Sequence, residues 1–424
     1  MKSVNCNKLA INGGAKSIVV SQPHEVWPPQ ASQAELNEII DQRKFDISIK
    51  GKTGIISDLE NIFLDFLENK VKYAITFNSG TSGLLAAYYA IGIDEDDEVI
   101  GPALTYHAAL SPAYMLKANI KLVDIDIENR CIDPYKIERV ITDKTKAITV
   151  VHQWGHPADM DKIIQIADKY NLKIIEDCSH AHGSKYKGKP CGTFGDVAVF
   201  SFQAAKMIYA GEGGILVTNS KSIYERATLL GHYRDRSRDE VEDPMLQRYW
   251  VTGFGLKLRM SPLNAVVAKH AILEFPDRKK QRHQCLSYFN KRLAEINYIK
   301  PHFVGKDIDM GAWYGFKPLY KKEFLNNIPI QNVVAALQAE GMEVTCASAP
   351  ALSNTPLFSD TKMIMFKNRK GFVPNSPSAT PVALQVENEA LSLPTFYNWN
   401  KDKEIIDQYI CAFKKLQENS HEIF

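Results

Sequence analysis

Two kinds of apolar spacing alternate along the sequence from Val71 onwards. Short, unbroken apolar runs are typical of strands buried on both faces, whereas apolar residues three and four positions apart are typical of helices that bury one face. The apolar runs predict strands at 73–77, 98–100, 121–125, 147–151, 173–175, 197–202 and 215–218. The helical spacing predicts helices at 55–67, 84–91, 111–118, 134–141 and 160–170. This order indicates an α/β fold in which helices cover both faces of a mostly parallel sheet.

The pattern of apolar residues changes after residue 258. It predicts a helix over 263–275 that Pro276 ends, a second helix reaching Ile296, a strand at 315–319, a helix at 330–338 and a last helix through 405–416. Residues 360–379 are mixed, polar and basic in composition, which indicates a long surface excursion.

This change predicts two domains. Residues 1–266 hold an N-terminal arm and a large domain, and residues 267–424 hold a smaller α/β domain. The arm carries Trp27 among several prolines. We expect it to pack on the body of the protein or on a partner subunit.

Composition narrows the class of protein. Hydrophobic residues make up 45% of the chain and charged residues 24%, as in ordinary soluble globular proteins. The net charge of +2 gives no bulk attraction to nucleic acid or to anionic membranes, and no apolar run approaches the roughly 18 residues that span a bilayer. The seven cysteines include no C-x-x-C pair, which argues against a disulfide framework or a zinc site. We expect a cytoplasmic protein without a metal site and without membrane or nucleic-acid partners.

A lysine lies on the turn between two of the predicted buried strands. Lys206 follows the strand at 197–202, and a glycine-rich loop at 211–214 leads into the strand at 215–218. Partial burial disfavours the charged form of an amine, so a lysine on such a turn is a candidate nucleophile. A solvated surface charge is the alternative interpretation. A catalytic role for Lys206 therefore requires further functional residues at the other predicted strand ends.

Three further features stand at strand ends upstream of Lys206. The turn at 79–83 runs directly into a helix, where free N–H groups and a partial positive charge bind anions. Asp177 ends a buried strand, where a carboxylate needs a cationic partner. Tyr106 follows the strand that begins at residue 98 and offers a flat face to a planar ligand. The simpler interpretations are a capped helix start, a salt bridge or helix cap, and a core or rim aromatic.

Together, these four features match the needs of pyridoxal 5′-phosphate. A helix N-terminus suits its phosphate, a carboxylate suits its ring nitrogen, an aromatic side chain suits its ring, and a lysine forms a Schiff base with its aldehyde. In parallel sheets, ligands bind outside the carboxyl ends of the strands. Since all four features lie at such ends, the sequence predicts a pyridoxal phosphate site.

Longer motifs surround these residues. They are Asn78-Ser79-Gly80-Thr81, Gly155-His156-Pro157-Ala158-Asp159-Met160-Asp161, Glu176-Asp177-Cys178-Ser179-His180-Ala181-His182-Gly183, Ser201-Phe202-Gln203, Lys206 and Gly211-Glu212-Gly213-Gly214. With these motifs the chain resembles, from Leu9 to Pro394, the DegT/DnrJ/EryC1/StrS family of aminotransferases, which make amino sugars and aminocyclitols. The resemblance implies a fold type I transferase whose large domain has a seven-stranded type of sheet. It also implies a homodimer with active sites at the subunit interface.

The resemblance implies a role for each site residue. Lys206 would form the Schiff base and then move the proton between the substrate carbon and the cofactor. Asp177 would pair with the ring nitrogen, and Tyr106 would stack on the ring. The other implied cofactor contacts are Gly80, Thr81, Ser82 and Ser201 at the phosphate, His180 near the ring hydroxyl, and Gln203 in the Ser-Phe-Gln segment. His180 and this segment are similar to the 3-amino-5-hydroxybenzoate synthase branch, and scyllo-inosose aminotransferases share much of the pattern.

The resemblance also implies two substrates. An amino donor, glutamate or glutamine, loads the amine, and a ketone acceptor, a keto sugar or a cyclitol ketone, receives it. The carboxylate of the donor needs a cation or an array of N–H groups, for which the candidates are Arg234, Arg236, Arg238 and Arg259. Residues of the smaller domain are expected where the acceptor is covered, namely Trp313, Tyr314 and Lys317.

One motif departs from the family pattern. Many members carry an asparagine that contacts the phosphate of the neighbouring subunit, whereas the run from Gly253 to Met260 has no asparagine and two additional residues. We hypothesise that Lys257 replaces the asparagine across a dimer interface. A surface charge is the alternative.

The same residues also favour or oppose other activities. An enzyme like 3-amino-5-hydroxybenzoate synthase that dehydrates and aromatises a cyclic ketone, and an idle regulatory protein with this fold, both stay open. Dehydratases of the family carry histidine in place of the lysine, so Lys206 argues against that activity. A dinucleotide-binding oxidoreductase lacks support because no G-x-G-x-x-G follows a first strand. A phosphate loop at 51–54 is rejected because Asp46 stands where its first glycine belongs.

Overall fold

The computed structural model describes residues 8–20, 32–44, 53–347, 350–360 and 372–423. In chain order the strands are β1 (Tyr73–Phe77), β2 (Glu98–Pro102), β3 (Asn119–Val123), β4 (Thr145–Val151), β5 (Lys173–Asp177), β6 (Lys185–Tyr186), β7 (Lys189–Pro190), β8 (Val197–Ser201), β9 (Gly214–Thr218), β10 (Ile299–Lys300), β11 (Ile308–Asp309), β12 (Leu319–Tyr320), β13 (Thr345–Cys346) and β14 (Leu391–Ser392). The helices are α1 (Ser32–Asp41), α2 (Gly54–Phe66), α3 (Gly80–Ala90), α4 (Ser111–Met115), α5 (Pro134–Ile137), α6 (Met160–Tyr170), α7 (Lys221–Gly231), α8 (Asp235–Glu240), α9 (Pro244–Gln247), α10 (Pro262–Leu293), α11 (Ile330–Ala339), α12 (Pro356–Ser359), α13 (Pro381–Glu389) and α14 (Trp399–Glu418).

A seven-stranded sheet in the order β1-β9-β8-β5-β4-β2-β3 forms the centre of the fold. The strands from β8 to β3 in this order pair in parallel, and β9 is antiparallel to both of its neighbours, β1 and β8. The carboxyl ends of β1, β4, β5 and β8 therefore share one edge, where Gly214 opens β9 opposite Phe77 and Ser201. The predicted mostly parallel sheet is confirmed.

Alternate residues of β8 belong to different layers of the core. Val197 and Val199 are buried with residues of α3 and α7, whereas Ala198 and Phe200 are buried with residues of α2 and α10. Successive side chains of a strand point to opposite faces of the sheet. A strand covered on both faces has to be apolar throughout, which is the physical basis of the unbroken apolar runs.

The C-terminal part has a second core, built from α11, α14 and the second half of α10. Leu9 and Ile18 of the N-terminal segment are buried in it. The fully buried Glu340 fixes that segment, since its carboxylate accepts the amides of Ala10 and Ser17 at 2.8 and 3.0 Å. The two ends of the chain therefore share one core.

The described residues between Ala351 and Ala390 contribute instead to the core of the large sheet. Asn375 binds the edge strand β3, accepting the Leu122 amide at 2.8 Å and donating to the Ile120 carbonyl at 3.0 Å. Part of the predicted surface excursion is therefore docked, and residues 361–371 lie outside the described part of the chain.

Pro276 does not end a helix, so that prediction is wrong. Helix α10 runs from Pro262 to Leu293 with Pro276 inside it, although proline in a helix interior costs about 3 kcal/mol. Residues before it, such as Phe275, are buried in the core of the large sheet, and residues after it, such as Phe289, are buried in the second core. Burial of both halves offsets the cost. The domain boundary at 266/267 falls within this helix and stays a prediction.

Two smaller predictions concern the segment at 315–319 and the N-terminal arm. The strand expected at 315–319 is reduced to β12 and to isolated bridges of Phe316 with Leu393 and of Leu319 with Ala390. The arm residue Trp27 lies outside the described residues. Among the helices of the described part, none has the length and apolar character needed to cross a membrane.

Candidate active site

A cavity of about 560 Å³ lies at the edge where the parallel strands end. Its wall combines the segments that follow β1, β2, β4, β5 and β8 with residues of the C-terminal part. The predicted residues that line it are Gly80, Thr81, Tyr106, Asp177, His180, Ser201, Gln203 and Lys206. Ser82 and Lys257 are described but are not part of the wall. The topology thus brings most of the strand-end features around one space.

Backbone hydrogen bonds hold the turn that carries Lys206. The Lys206 amide donates to the Gln203 carbonyl, and the Ala205 amide donates to Gln203 Oε1, each at 2.8 Å. Lys206 Nζ lies 3.4 Å from the Tyr314 hydroxyl and 4.4 Å from the centroid of that ring. Burial lowers the pKa of Lys206 from 10.5 to about 8, while the charge of Asp177 acts to raise it. Such a pKa suits a side chain that has to be both a nucleophile and a proton carrier.

Helix α3 begins at the cavity. Ser79 caps it by accepting the Ser82 amide at 3.1 Å, and the N–H groups of the first turn have no acceptor within the helix. A Cβ on Gly80 would lie 2.8 Å from Ser201 Cβ, so glycine allows α3 to approach the end of β8. Ser82 Oγ lies 2.9 Å from Ser79 Oγ, so this hydroxyl belongs to the cap. The free N–H groups of the first turn of α3, next to Ser201, can bind an anion.

Two adjacent carboxylates at the end of β5 face opposite sides of the sheet. Asp177 lines the cavity, and its Oδ1 accepts the Ser179 amide at 3.0 Å. Glu176 is buried on the other side, where it accepts three backbone amides at 2.7–2.8 Å and lies 3.0 Å from His152 Nε2. Burial acts to raise the pKa of Glu176, but these hydrogen bonds and His152 hold it below 4.5. Because side chains alternate along a strand, Asp177 lines the cavity, whereas Glu176 has a structural role on the other side of the sheet.

His180 and Tyr314 form a stacked pair beside Lys206. Their ring centroids are 4.0 Å apart and the planes differ by 14°. Burial, followed by the charge of Lys206, holds the pKa of His180 well below its usual range, so the imidazole is neutral. Tyr106 is 61% exposed and lines the cavity, with its ring accessible to a planar ligand.

A family model matches most of the chain. The model of the DegT/DnrJ/EryC1/StrS aminotransferase family matches residues 30–408. The chain belongs to this family. DegT/DnrJ/EryC1/StrS aminotransferases depend on pyridoxal phosphate, so the chain is a pyridoxal phosphate-dependent aminotransferase. The predicted family, enzyme class and cofactor are confirmed.

Named members and structures give the same family. GDP-perosamine synthase from Escherichia coli O157:H7 is 37% identical over 265 residues, which is 62% of this chain and 70% of that protein. L-glutamine:2-deoxy-scyllo-inosose aminotransferase from Streptoalloteichus tenebrarius is 32% identical over 355 residues, 82% of each protein. The structure of an aminotransferase from Psychrobacter cryohalolentis has a TM-score of 0.80 at 25% identity, covering 94% of this chain and 100% of that one. A 3-amino-5-hydroxybenzoic acid synthase shares the fold, with a TM-score of 0.76 at 21% identity over 94% of this chain and 100% of that one.

The cavity of this family member fits its cofactor. Buried polar atoms without a hydrogen-bond partner among the described residues include Thr105 Oγ1, Gln153 Oε1 and His180 Nδ1, and all three residues line the cavity. Because buried polar groups are nearly always paired, this wall is made for a polar ligand. An anion site, a carboxylate and an amine complete the set that pyridoxal phosphate requires.

Part of the wall was not predicted as a site. These residues are Thr105, Gln153, Trp154, Ser179 and Glu212. Gln153 and Trp154 follow β4, so the rule that singled out Asp177 also applies to them. Tyr314 and Lys317, which were expected only near the acceptor, lie on a segment 108 positions or more from Lys206. No local sequence pattern indicates that Tyr314 and Lys317 lie beside Lys206.

The arginines proposed for the donor carboxylate do not line the cavity, although all four lie in the described range 53–347. Arg236 is buried, donates to both oxygens of Glu60 at 2.8 and 2.9 Å, and donates to Glu240 at 3.1 Å. Its interpretation as a substrate contact is therefore wrong. Arg238 pairs at the surface with Asp235 and Asp239.

Proposed function

We propose that this aminotransferase moves an amino group from glutamate or glutamine to the ketone carbon of a sugar or cyclitol. The named relatives support this substrate class, since one is a GDP-perosamine synthase and another acts with L-glutamine on 2-deoxy-scyllo-inosose. The observation that carries the proposal is the presence of Lys206, Asp177 and the first turn of α3 in one cavity.

The side chains of the wall would hold the cofactor in one orientation. Pyridoxal phosphate supplies a carbonyl that condenses with amines and a ring that takes up the electron pair of a broken C–H bond. The first turn of α3 and Ser201 would bind its phosphate, and Asp177 would keep a proton on its ring nitrogen. His180 would contact the ring oxygen, and Tyr106 would cover the ring.

Lys206 would carry the proton during transfer. Lys206 Nζ would take the proton from the α-carbon of the amino donor and deliver it to the cofactor carbon bonded to the donor nitrogen, a transfer that suits an amine whose pKa burial lowers to about 8. The Tyr314 hydroxyl, 3.4 Å from Nζ, orients the amine between these two positions. The acceptor ketone then undergoes the same steps in reverse.

We also propose a homodimer in which Lys257 reaches the phosphate site of the other subunit. The exposed Lys257 precedes Leu258, whose carbonyl accepts the Asn78 amide at 2.7 Å, just before the cap of α3. The segment thus lies beside the anion site of its own subunit, and in a homodimer with active sites at the subunit interface Lys257 would extend from there towards the phosphate site of the other subunit. Lys257→Ala is expected to weaken cofactor affinity without changing the mass measured by sedimentation, and unchanged affinity would refute this role.

The test of the main proposal is the visible absorbance of the purified protein. We expect a yellow protein that borohydride bleaches, a colourless Lys206→Ala variant, and an unchanged Lys169→Ala control at the surface. Glutamate or glutamine should convert the spectrum to the aminated form, and a panel of keto sugars and cyclitol ketones should restore it. If no member of the panel restores the spectrum, the proposed acceptor class is wrong.

A further inference from the structure

A second amine, Lys317, faces the same cavity as Lys206. It lies on a segment whose neighbours Phe316 and Leu319 bridge to Leu393 and Ala390. The Lys317 amide donates to His302 Nε2 at 2.7 Å, and burial keeps the pKa of His302 well below its usual range. A neutral, buried imidazole therefore fixes the backbone of Lys317.

The side chain of Lys317 is held as well as its backbone. Its Nζ lies 3.3 Å from Ser392 Oγ, to which it donates, and 5.6 Å from the centroid of the Trp154 ring. These contacts use neutral groups and leave N–H donors of the ammonium for a ligand. The amine is therefore placed in the wall and not left as a freely moving surface charge.

No carboxylate in the described residues forms an ion pair with Lys317. The same segment shows the contrast, since Lys321 lies 3.2 Å from Glu389. Asp177 and Glu212 also line the cavity, yet neither pairs with Lys317 in the described structure. Burial lowers the pKa of Lys317, and no acidic group acts to raise it. A partly buried cation without a counter-ion is costly, so the site is built for an anion that arrives with a ligand.

The anion is not the phosphate of the cofactor. The first turn of α3 lies against Ser201 at the end of β8, whereas Lys317 lies over Trp154, just after β4. Strand β5 lies between β8 and β4 in the sheet. Since neighbouring strands are about 4.8 Å apart, the ends of β8 and β4 are separated by about 10 Å. Lys317 is instead close enough to His180, beside Lys206, for its charge to lower the pKa of that imidazole.

We propose that Lys317 binds the α-carboxylate of the amino donor, an inference that rests on the proposed function. Glutamate and glutamine share this group, which lies on the reacting carbon and so has to sit beside Lys206. A cyclitol ketone carries no charge at the corresponding position. Lys317 therefore acts in the donor half of the reaction, and His302 and Ser392 position it.

The test separates the two half-reactions of the holoenzyme by rapid-mixing absorbance. Lys317→Gln is expected to lower kcat/KM for both glutamate and glutamine by about 10- to 100-fold, the loss of one hydrogen bond to a charged group. Glutarate, which has the carboxylates without the amine, should bind more weakly by a similar factor in calorimetry. Return of the amine to an uncharged cyclitol ketone should be unchanged. Lys321→Gln is the matched control, and Lys317→Arg should regain part of the donor activity.

Each other outcome overturns the inference. Unchanged kcat/KM for the donors excludes Lys317 from their binding, and a loss with glutamate alone assigns it to the side-chain carboxylate. Equal losses in both half-reactions make it part of the shared machinery, and a loss confined to phosphorylated ketones assigns it to the acceptor. Lys317→Met, which keeps the apolar stem, replaces Lys317→Gln if that variant does not fold. The proposed function itself fails if the wild-type holoenzyme shows no spectral change with these donors.

Discussion

The amine of Lys206 in the cofactor-free protein is predicted to lose its proton near pH 8. Burial lowers its pKa from 10.5 to about 8. At pH 7 about one amine in ten is then neutral, against about one in 3,000 for an ordinary lysine, a gain of about 300-fold in the reactive form. Only the neutral amine attacks the aldehyde of the cofactor, so the larger neutral fraction should make the protein bind pyridoxal phosphate covalently at a faster rate.

The assay is acetylation of the cofactor-free protein with trace acetic anhydride between pH 6 and 11, read for each lysine by mass spectrometry. The midpoint of the pH profile is the readout, because it is independent of how easily the reagent enters the cavity. Lys169 is the internal control, since its hydrogen bond to Glu138 raises its pKa. The midpoints of Lys206 and Lys169 should differ by about 2.5 pH units or more.

A second measurement tests the cause of the shift. The charge of Asp177 acts to raise the pKa of Lys206, so Asp177→Asn should move the Lys206 midpoint to still lower pH. The reasoning is refuted if Lys206 titrates together with Lys169. It is also refuted if Asp177→Asn moves the midpoint upwards.

Further predictions concern the packing around the site. Gly80→Ala places a Cβ 2.8 Å from Ser201 Cβ, so the first turn of α3 has to move; cofactor affinity, measured by equilibrium dialysis, should fall by about 10- to 100-fold. Arg236→Ala leaves two buried carboxylates unpaired and should lower the free energy of unfolding in urea by about 3–5 kcal/mol, whereas Arg238→Ala at the surface should leave it nearly unchanged. Glu176→Gln should lower the melting temperature most at neutral pH: the pKa of Glu176 lies below 4.5 in the fold, so its stabilisation is complete above that value and is lost as the pH falls through the folded-state pKa.

Each of these predictions has a contradicting result. Wild-type cofactor affinity in Gly80→Ala would mean that α3 and β8 have room to separate. Equal stability of Arg236→Ala and Arg238→Ala would mean that the buried network contributes nothing. A melting-temperature difference for Glu176→Gln that stays constant from pH 7 to pH 3 would mean that folding does not lower the pKa of Glu176.

Local pattern was sufficient for the sheet and for much of the site. The strands predicted at 73–77 and 147–151 correspond to β1 (Tyr73–Phe77) and β4 (Thr145–Val151), because a strand covered on both faces is marked by its own residues. The same strands end in polar residues, and in a parallel sheet those ends meet at one edge. The sequence therefore predicts that Asp177 and Lys206 lie at this edge, where both line the cavity.

Elements whose state depends on distant contacts were not found in this way. Pro276 predicts a helix end from its own geometry, yet α10 continues because each half is buried in a different core. Arg236 resembles a substrate contact in sequence, but Glu60 on another helix takes up its charge. Glu60 lies 176 positions from Arg236 in the chain, so no local pattern indicates this partner.

The sequence by itself determined the strands of the large sheet, the family and the cofactor. The tertiary structure alone decided that Lys317 faces the cavity, by bringing it to Trp154 and Ser392. The physical reason is that burial and hydrogen-bonding periodicity act between neighbours in the chain. The pairing of a charge depends on whatever the fold places within a few ångströms of it.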